Sequence, residues 1–114
     1  FEYVIESVKA EGESGWYTAA HDEFVISMDG TVRVDYVKLP DPDALVDPES
    51  EGAVKLDGKP EGASMGYVVL GRGHMAMLPV GAAYRFTAAE TCTILIQSID
   101  GAVTQHKWAQ FCQQ

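Results

Sequence analysis

Apolar residues in this 114-residue chain fall into short runs, rich in β-branched and aromatic residues, that are bounded by Gly, Pro, Asp or Ser. Runs of this kind predict β-strands. They cover residues 1–7, 16–20, 23–28, 31–39, 54–56, 67–70, 74–78, 83–87 and 92–99. In the fourth run Val32, Val34 and Tyr36 alternate with Arg33 and Asp35. That alternation predicts a sheet with one face exposed to water.

The segments between the runs carry turn signals. Asp29-Gly30 predicts a two-residue hairpin between the third and fourth strands. Residues 40–65 are acidic and rich in Pro and Gly, and they contain only the brief strand at 54–56. This segment is too long for an ordinary hairpin loop, so we expect a lid, an oligomerisation arm or a mobile excursion.

The last part of the chain predicts a short helix, with Thr104 as its N-cap and Trp108, Phe111 and Cys112 on one face. Many short strands, one terminal helix and no alternation of strands with helices predict an all-β fold of the jelly-roll type. We expect one domain over residues 1–114.

The net charge of the chain limits the kinds of partner that we expect it to bind. Eight Lys and Arg stand against 17 Asp and Glu, which gives a net charge of −9. Such a surface repels nucleic acids and anionic membranes, so we expect neither as a partner. The two cysteines, Cys92 and Cys112, form no Cys-x-x-Cys pair. We expect free thiols and a cytoplasmic location.

Two spacings carry the candidate chemistry. Gly73, Pro79 and Gly81 predict a strand that ends in a Pro-x-Gly turn and then restarts, and six residues separate Glu23 from Gly30. These spacings resemble the two sequence motifs of the cupin family, and the resemblance extends over residues 16–99. It implies a double-stranded β-helix, that is, a jelly-roll barrel, and a small-molecule function.

The resemblance also implies a metal site made of imidazoles and one carboxylate. Where cupins usually carry histidines, this chain has Tyr17, Ala19 and Tyr84, and it retains only the acid, Glu23. A neutral phenol is a poor metal ligand. We therefore expect a degenerate site without a tightly bound metal. The alternative is a divalent transition metal held by His21 and Glu23 with an atypical third ligand.

The same positions predict either a pocket or a plug. Tyr17, His21, Glu23, Tyr84 and Gln97 would line a polar pocket suited to a small aromatic or carbonyl compound. In the other interpretation, the two tyrosines fill an empty barrel and their hydroxyl groups find hydrogen-bond partners.

Three functions follow from these expectations. The first is an accessory or non-classical cupin of small-molecule catabolism, which acts as a homodimer or supports a larger cupin enzyme. The second is a metal-dependent dioxygenase or isomerase that uses His21 and Glu23. The third is an acid–base enzyme with Glu23 and Tyr84 as catalytic residues.

Overall fold

A computed structural model describes residues 3–49 and 52–99 of the chain. Every strand pair in it is antiparallel. The strands are β1 (Tyr3–Glu13), β2 (Tyr17–Ala19), β3 (Glu23–Ser27), β4 (Val32–Lys38), β5 (Ala53–Lys55), β6 (Ala63–Leu70), β7 (Met75–Leu78) and β8 (Ala82–Ile99). The all-β prediction is therefore confirmed, whereas the predicted helix at 104–112 lies outside the described residues.

Strand β8 organises the fold because its two halves belong to two sheets. Its first half pairs with β4 and β2, and β6 and β5 extend this sheet on either side. Its second half pairs with β1 and β3, and β7 extends the sheet beyond β3. We call the first group sheet I and the second sheet II. The sequence predicted two separate strands here, at 83–87 and 92–99, but the backbone stays extended between them.

The space between the sheets is filled by inward-facing side chains of both. Along β3, for example, Glu23, Val25 and Ser27 are buried while Phe24 and Ile26 are half-buried. Burial of apolar surface from both sheets provides the main stabilisation of the fold. The buried apolar cluster comprises Ala10, Tyr17, Val25, Val32, Val34, Leu70, Leu78, Tyr84, Phe86, Ala88, Cys92, Ile94 and Ile96.

The predicted Asp29-Gly30 hairpin is wrong. In the described chain β3 pairs with β7 and β8, and β4 pairs with β6 and β8, so the turn between β3 and β4 crosses from sheet II to sheet I. The Asp29 carboxylate accepts a hydrogen bond from the Thr93 backbone N–H at 2.5 Å, which ties the turn to β8. Glycine is required at position 30 because a Cβ there would lie 2.5 Å from the Cys92 Cβ.

The segment at 40–65 contains more structure than the sequence predicted. A 3-10 turn covers Pro42–Ala44, β5 pairs with β2, and β6 begins at Ala63, four residues before the predicted strand. Leu56 packs against a second apolar cluster on the outer face of sheet I. Within residues 3–49 and 52–99, no helix has the length and apolar character needed to cross a bilayer.

Candidate functional site

A buried carboxylate with two hydroxyl partners lies between the sheets. Glu23 is the first residue of β3 and points inward by strand alternation. The Tyr84 hydroxyl, on the first half of β8, donates a hydrogen bond to Glu23 Oε1 at 2.5 Å. The Ser98 hydroxyl, on the second half of β8, donates to Glu23 Oε2. Glu23 thus connects sheet II to sheet I through one side chain.

The cluster is closed to solvent, with Glu23 2% exposed and Tyr84 1% exposed. Burial raises the pKa of the Tyr84 phenol well above its usual value, and the charge of Glu23 and the hydrogen bond to it raise this pKa further. Tyr84 therefore stays protonated and acts as a donor. Burying a carboxylate is costly unless it is hydrogen-bonded, and the two hydroxyl groups supply those bonds.

Aromatic rings occupy the space around this cluster. The Tyr17 ring stacks on Tyr84 with ring centroids 6.3 Å apart, and Phe86 meets Tyr84 edge-on at 5.4 Å. Tyr17 is fully buried, and this burial raises the pKa of its phenol. The two tyrosines at the positions where cupins usually have histidines therefore fill the centre of the barrel, which favours the plug interpretation.

The structure brings together only part of the predicted site. Tyr17, Glu23 and Tyr84 are in one cluster, as described above. Gln97 lies on the opposite face of β8 from Ser98, so alternation directs its side chain away from this cluster. His21 is half-buried before β3. Its Nδ1 lies 3.2 Å from the Asp22 carbonyl oxygen, and its buried Nε2 has no hydrogen-bond partner in the described chain.

Ser98 was missed by the sequence analysis, although a signal for it exists. Ile94, Ile96 and Ser98 occupy alternate positions of one strand, and all three are buried. A serine that continues an inward-facing apolar series marks the place where a buried acid can find a donor. Recognising it required the knowledge that β3 and the second half of β8 are neighbours.

The donor set does not fit a transition metal. Among residues 3–49 and 52–99, no group of three or more His, Cys, Asp or Glu is arranged to hold a metal ion. Both carboxylate oxygens of Glu23 accept hydroxyl hydrogen bonds, and the raised pKa of Tyr84 keeps its phenol protonated. Iron, manganese, nickel and zinc in such sites need imidazole, thiolate or free carboxylate donors.

Comparisons with known proteins define the class of fold. No protein-family model and no curated protein matches the chain. Among solved structures, a cupin-2 domain protein from Shewanella frigidimarina NCIMB 400 is 25% identical with a TM-score of 0.57, and the match covers 86% of this chain and 71% of that one. The chain has the cupin fold.

Closer matches define the family within the cupins. Hydroquinone 1,2-dioxygenase from Sphingomonas sp. TTNP3, solved with 4-hydroxybenzoate bound, is 60% identical with a TM-score of 0.88, and the match covers 100% of this chain and 69% of that one. PnpCD, a hydroquinone 1,2-dioxygenase solved with Cd²⁺ and 4-hydroxybenzonitrile, is 48% identical with a TM-score of 0.83, over 98% and 66%. The chain belongs to the hydroquinone 1,2-dioxygenase family and spans about two thirds of these relatives.

PnpCD also contains a second chain of similar fold. In its complex with Fe³⁺, 85% of this chain matches only 24% of a PnpCD chain, at 9% identity and a TM-score of 0.62. The match covers 24% of this PnpCD chain but 66% of the PnpCD chain described above, so this chain is considerably longer. PnpCD therefore combines a shorter and a longer chain that both contain this fold.

Proposed function

We propose that this chain is the metal-free supporting subunit of a heteromeric hydroquinone dioxygenase, whose longer cupin chain holds the catalytic metal. The observation that carries this proposal is the buried Glu23 carboxylate, whose two oxygens accept hydrogen bonds from Tyr84 and Ser98 at the position where the cupin resemblance implies a metal ligand. The identity of 60% to a chain of hydroquinone 1,2-dioxygenase supports the assignment to such an enzyme.

In this proposal the substrate is a para-substituted phenol that the assembled enzyme opens with dioxygen. The ligands of the two solved relatives, 4-hydroxybenzoate and 4-hydroxybenzonitrile, are phenols of that class. The role of this chain is structural: Glu23, Tyr84 and Ser98 hold its two sheets in a fixed relation so that its outer surface can meet the partner. We propose that the enzyme works in the cytoplasm.

The second candidate function is binding of a small aromatic ligand within this chain's own barrel. It is favoured by the aromatic surroundings that Tyr17, Tyr84 and Phe86 form around the carboxylate. Because these side chains are buried against one another, a ligand would have to separate the two tyrosine rings. The catalytic roles predicted for Glu23 and Tyr84 require the same opening.

Reconstitution tests the proposed function. The chain is purified without a metal-binding tag, alone and with the longer chain of PnpCD, and the metal content and the oxygen uptake with hydroquinone are measured. We expect iron and oxygen uptake only in the mixture. Stoichiometric iron in this chain alone, lost in the Glu23→Gln variant, would establish the metal-dependent alternative in place of the proposal.

A titration separates the second candidate from the first. Calorimetry with 4-hydroxybenzoate and the chain alone should show no binding. Saturable binding would instead support the second candidate if Tyr17→Ala changes the affinity. The control is Tyr67→Ala, at an exposed position, which should then leave the affinity unchanged.

A further inference from the structure

The strand register places two uncharged rows of side chains across the outer face of sheet II. One row contains Ile5, Gln97, Phe24 and Met77, and the other contains Ser7, Leu95, Ile26 and Met75. These residues alternate with the inward-facing side chains of the same strands. We call these two rows the sheet II face. Six of the eight residues are apolar and none is charged.

Four of the eight residues of the sheet II face are exposed in the described chain, and the other four are half-buried. Ile5 is 68% exposed, Met75 58% and Met77 50%. At about 4.8 Å per strand and 6.8 Å per pair of residues, two rows across four strands span roughly 14 by 19 Å. Monomers often expose an apolar patch of this size, so the patch indicates a contact only together with the uncharged edge strand beside it.

The edge strand of this sheet, β7, is short and uncharged, and the Tyr36 hydroxyl donates a hydrogen bond to its Met77 carbonyl. Among the described residues β7 pairs with β3 alone, and its sequence Met75–Leu78 contains no charge. No Asp or Glu occurs at any of positions 62–89, although the chain has 17 acidic residues. Natural edge strands normally carry charges or proline that prevent association. Within that acid-free stretch, β7 gives the sheet II face an edge strand without charge.

We propose that the sheet II face docks the longer cupin chain of the dioxygenase, sheet against sheet. This inference rests on the proposed function. The longer PnpCD chain contains a region of the same fold and so has sheets of the same kind to offer. Two sheets pack about 10 Å apart through apolar faces. The patch would form the apolar centre of an interface that needs about 800 Å² on each partner.

Charge disfavours a second copy of this chain as the occupant. Each copy carries a net charge of −9, and a symmetric contact through this face would bring two such chains together. A partner that differs in sequence is free of that constraint. Methionine side chains such as Met75 and Met77 also adapt their shape to a partner surface.

Lysine substitutions on β7 test the docking face. Met75→Lys and Met77→Lys, each as a single variant of the full chain, should weaken binding to the longer PnpCD chain by about tenfold or more, because a charge enters the apolar centre. The melting temperature of the isolated variants should stay at the wild-type value. The control is Leu45→Lys, a side chain 46% exposed in the segment beside sheet I, which should leave binding unchanged.

Each contrary result has a distinct meaning. If wild type binds the longer chain and both β7 variants bind equally well, the docking face is wrong and the proposed function stands. If the wild-type chain fails to bind the longer PnpCD chain while the shorter PnpCD chain binds it, both the docking face and the proposed function are wrong. If the isolated chain is a dimer that Met75→Lys dissociates, a second copy covers the face and the proposed occupant is overturned.

Discussion

The two sheets differ in how far other segments of the chain cover their outer faces. On sheet I, Trp16, Val37, Leu39 and Ala83 form an apolar cluster that Leu56, from the segment after β5, helps to cover. On sheet II, the corresponding outward residues of β3, β7 and β8 have no such covering segment among the described residues. Among the described residues, the chain thus covers part of the sheet I face with its own segment and leaves the sheet II face uncovered.

The polar residues of the two faces differ as well. On sheet I, Asp35 lies 3.0 Å from an Arg33 nitrogen and 3.6 Å from an Arg85 nitrogen. Arg33 also lies over the Tyr67 ring, and Arg85 over the Trp16 ring. These contacts pair the charged groups of sheet I with partners in the same chain. The sheet II face contains no charged residue, so it has no ion pairs of this kind.

The largest expected effect tests whether the covered face is part of the folded core. Trp16→Ala should lower the free energy of unfolding by about 3–5 kcal/mol, because it removes a large buried ring from the sheet I cluster. Urea denaturation measures this change. Tyr67→Ala, an exposed aromatic on the same face, is the matched control and should cost less than about 1 kcal/mol. Equal costs at the two positions would contradict the distinction between covered and open surface.

The second prediction concerns the interior that both faces share. Tyr84→Phe removes the donor to Glu23 Oε1 and leaves that buried oxygen without its hydrogen bond, at a cost of about 2 kcal/mol. Thermal or urea unfolding measures the loss, and Tyr67→Phe on the surface should have no effect. Wild-type stability in Tyr84→Phe would show that the hydroxyl does not hold the two sheets together.

The third prediction concerns a hydrogen bond between β4 of sheet I and β7 of sheet II. Burial raises the pKa of Tyr36 to about 12 from 10.0, and its hydroxyl donates to the Met77 carbonyl at 2.6 Å. A raised folded-state pKa means that the folded chain binds the proton more tightly than the unfolded chain. This stability is present below about pH 10 and is lost as the pH rises toward 12.

Unfolding in urea between pH 9 and 12 measures this loss. Tyr17 and Tyr84 contribute in the same direction, since the pKa of each is also raised. Tyr36→Phe should therefore reduce the slope without abolishing it. A slope identical to wild type would show that Tyr36 does not link the sheets through its phenol.

The smallest expected effect is on the open face of the isolated chain. Ile5→Ser and Met77→Ser should each change the free energy of unfolding by no more than about 0.5 kcal/mol, because these side chains are largely in water already. Differential scanning calorimetry resolves a change of this size. A loss comparable to that of Trp16→Ala would mean that another part of this chain covers the sheet II face.

The sequence alone predicted most strands, since alternation and turn residues are local properties. It predicted that Glu23 would retain a role, and the spacing of Pro79 and Gly81 correctly marked a turn, in which Gly81 has φ +86°. Alternation also shows that the side chains of Ser98 and Gln97 point to opposite faces of their strand. The choice between the two as a partner for Glu23 could not be made locally, because it depends on which face of β8 meets β3.

Tertiary structure decided what the local patterns left open. Asp29-Gly30 looks like a hairpin turn by composition, yet it crosses between sheets because β8 offers hydrogen-bond partners to both β3 and β4. Likewise, no local signal distinguishes an outward apolar residue that is covered, such as Val37, from one that is open, such as Met75. Burial depends on which distant segment packs over a residue, and long-range packing alone determines that.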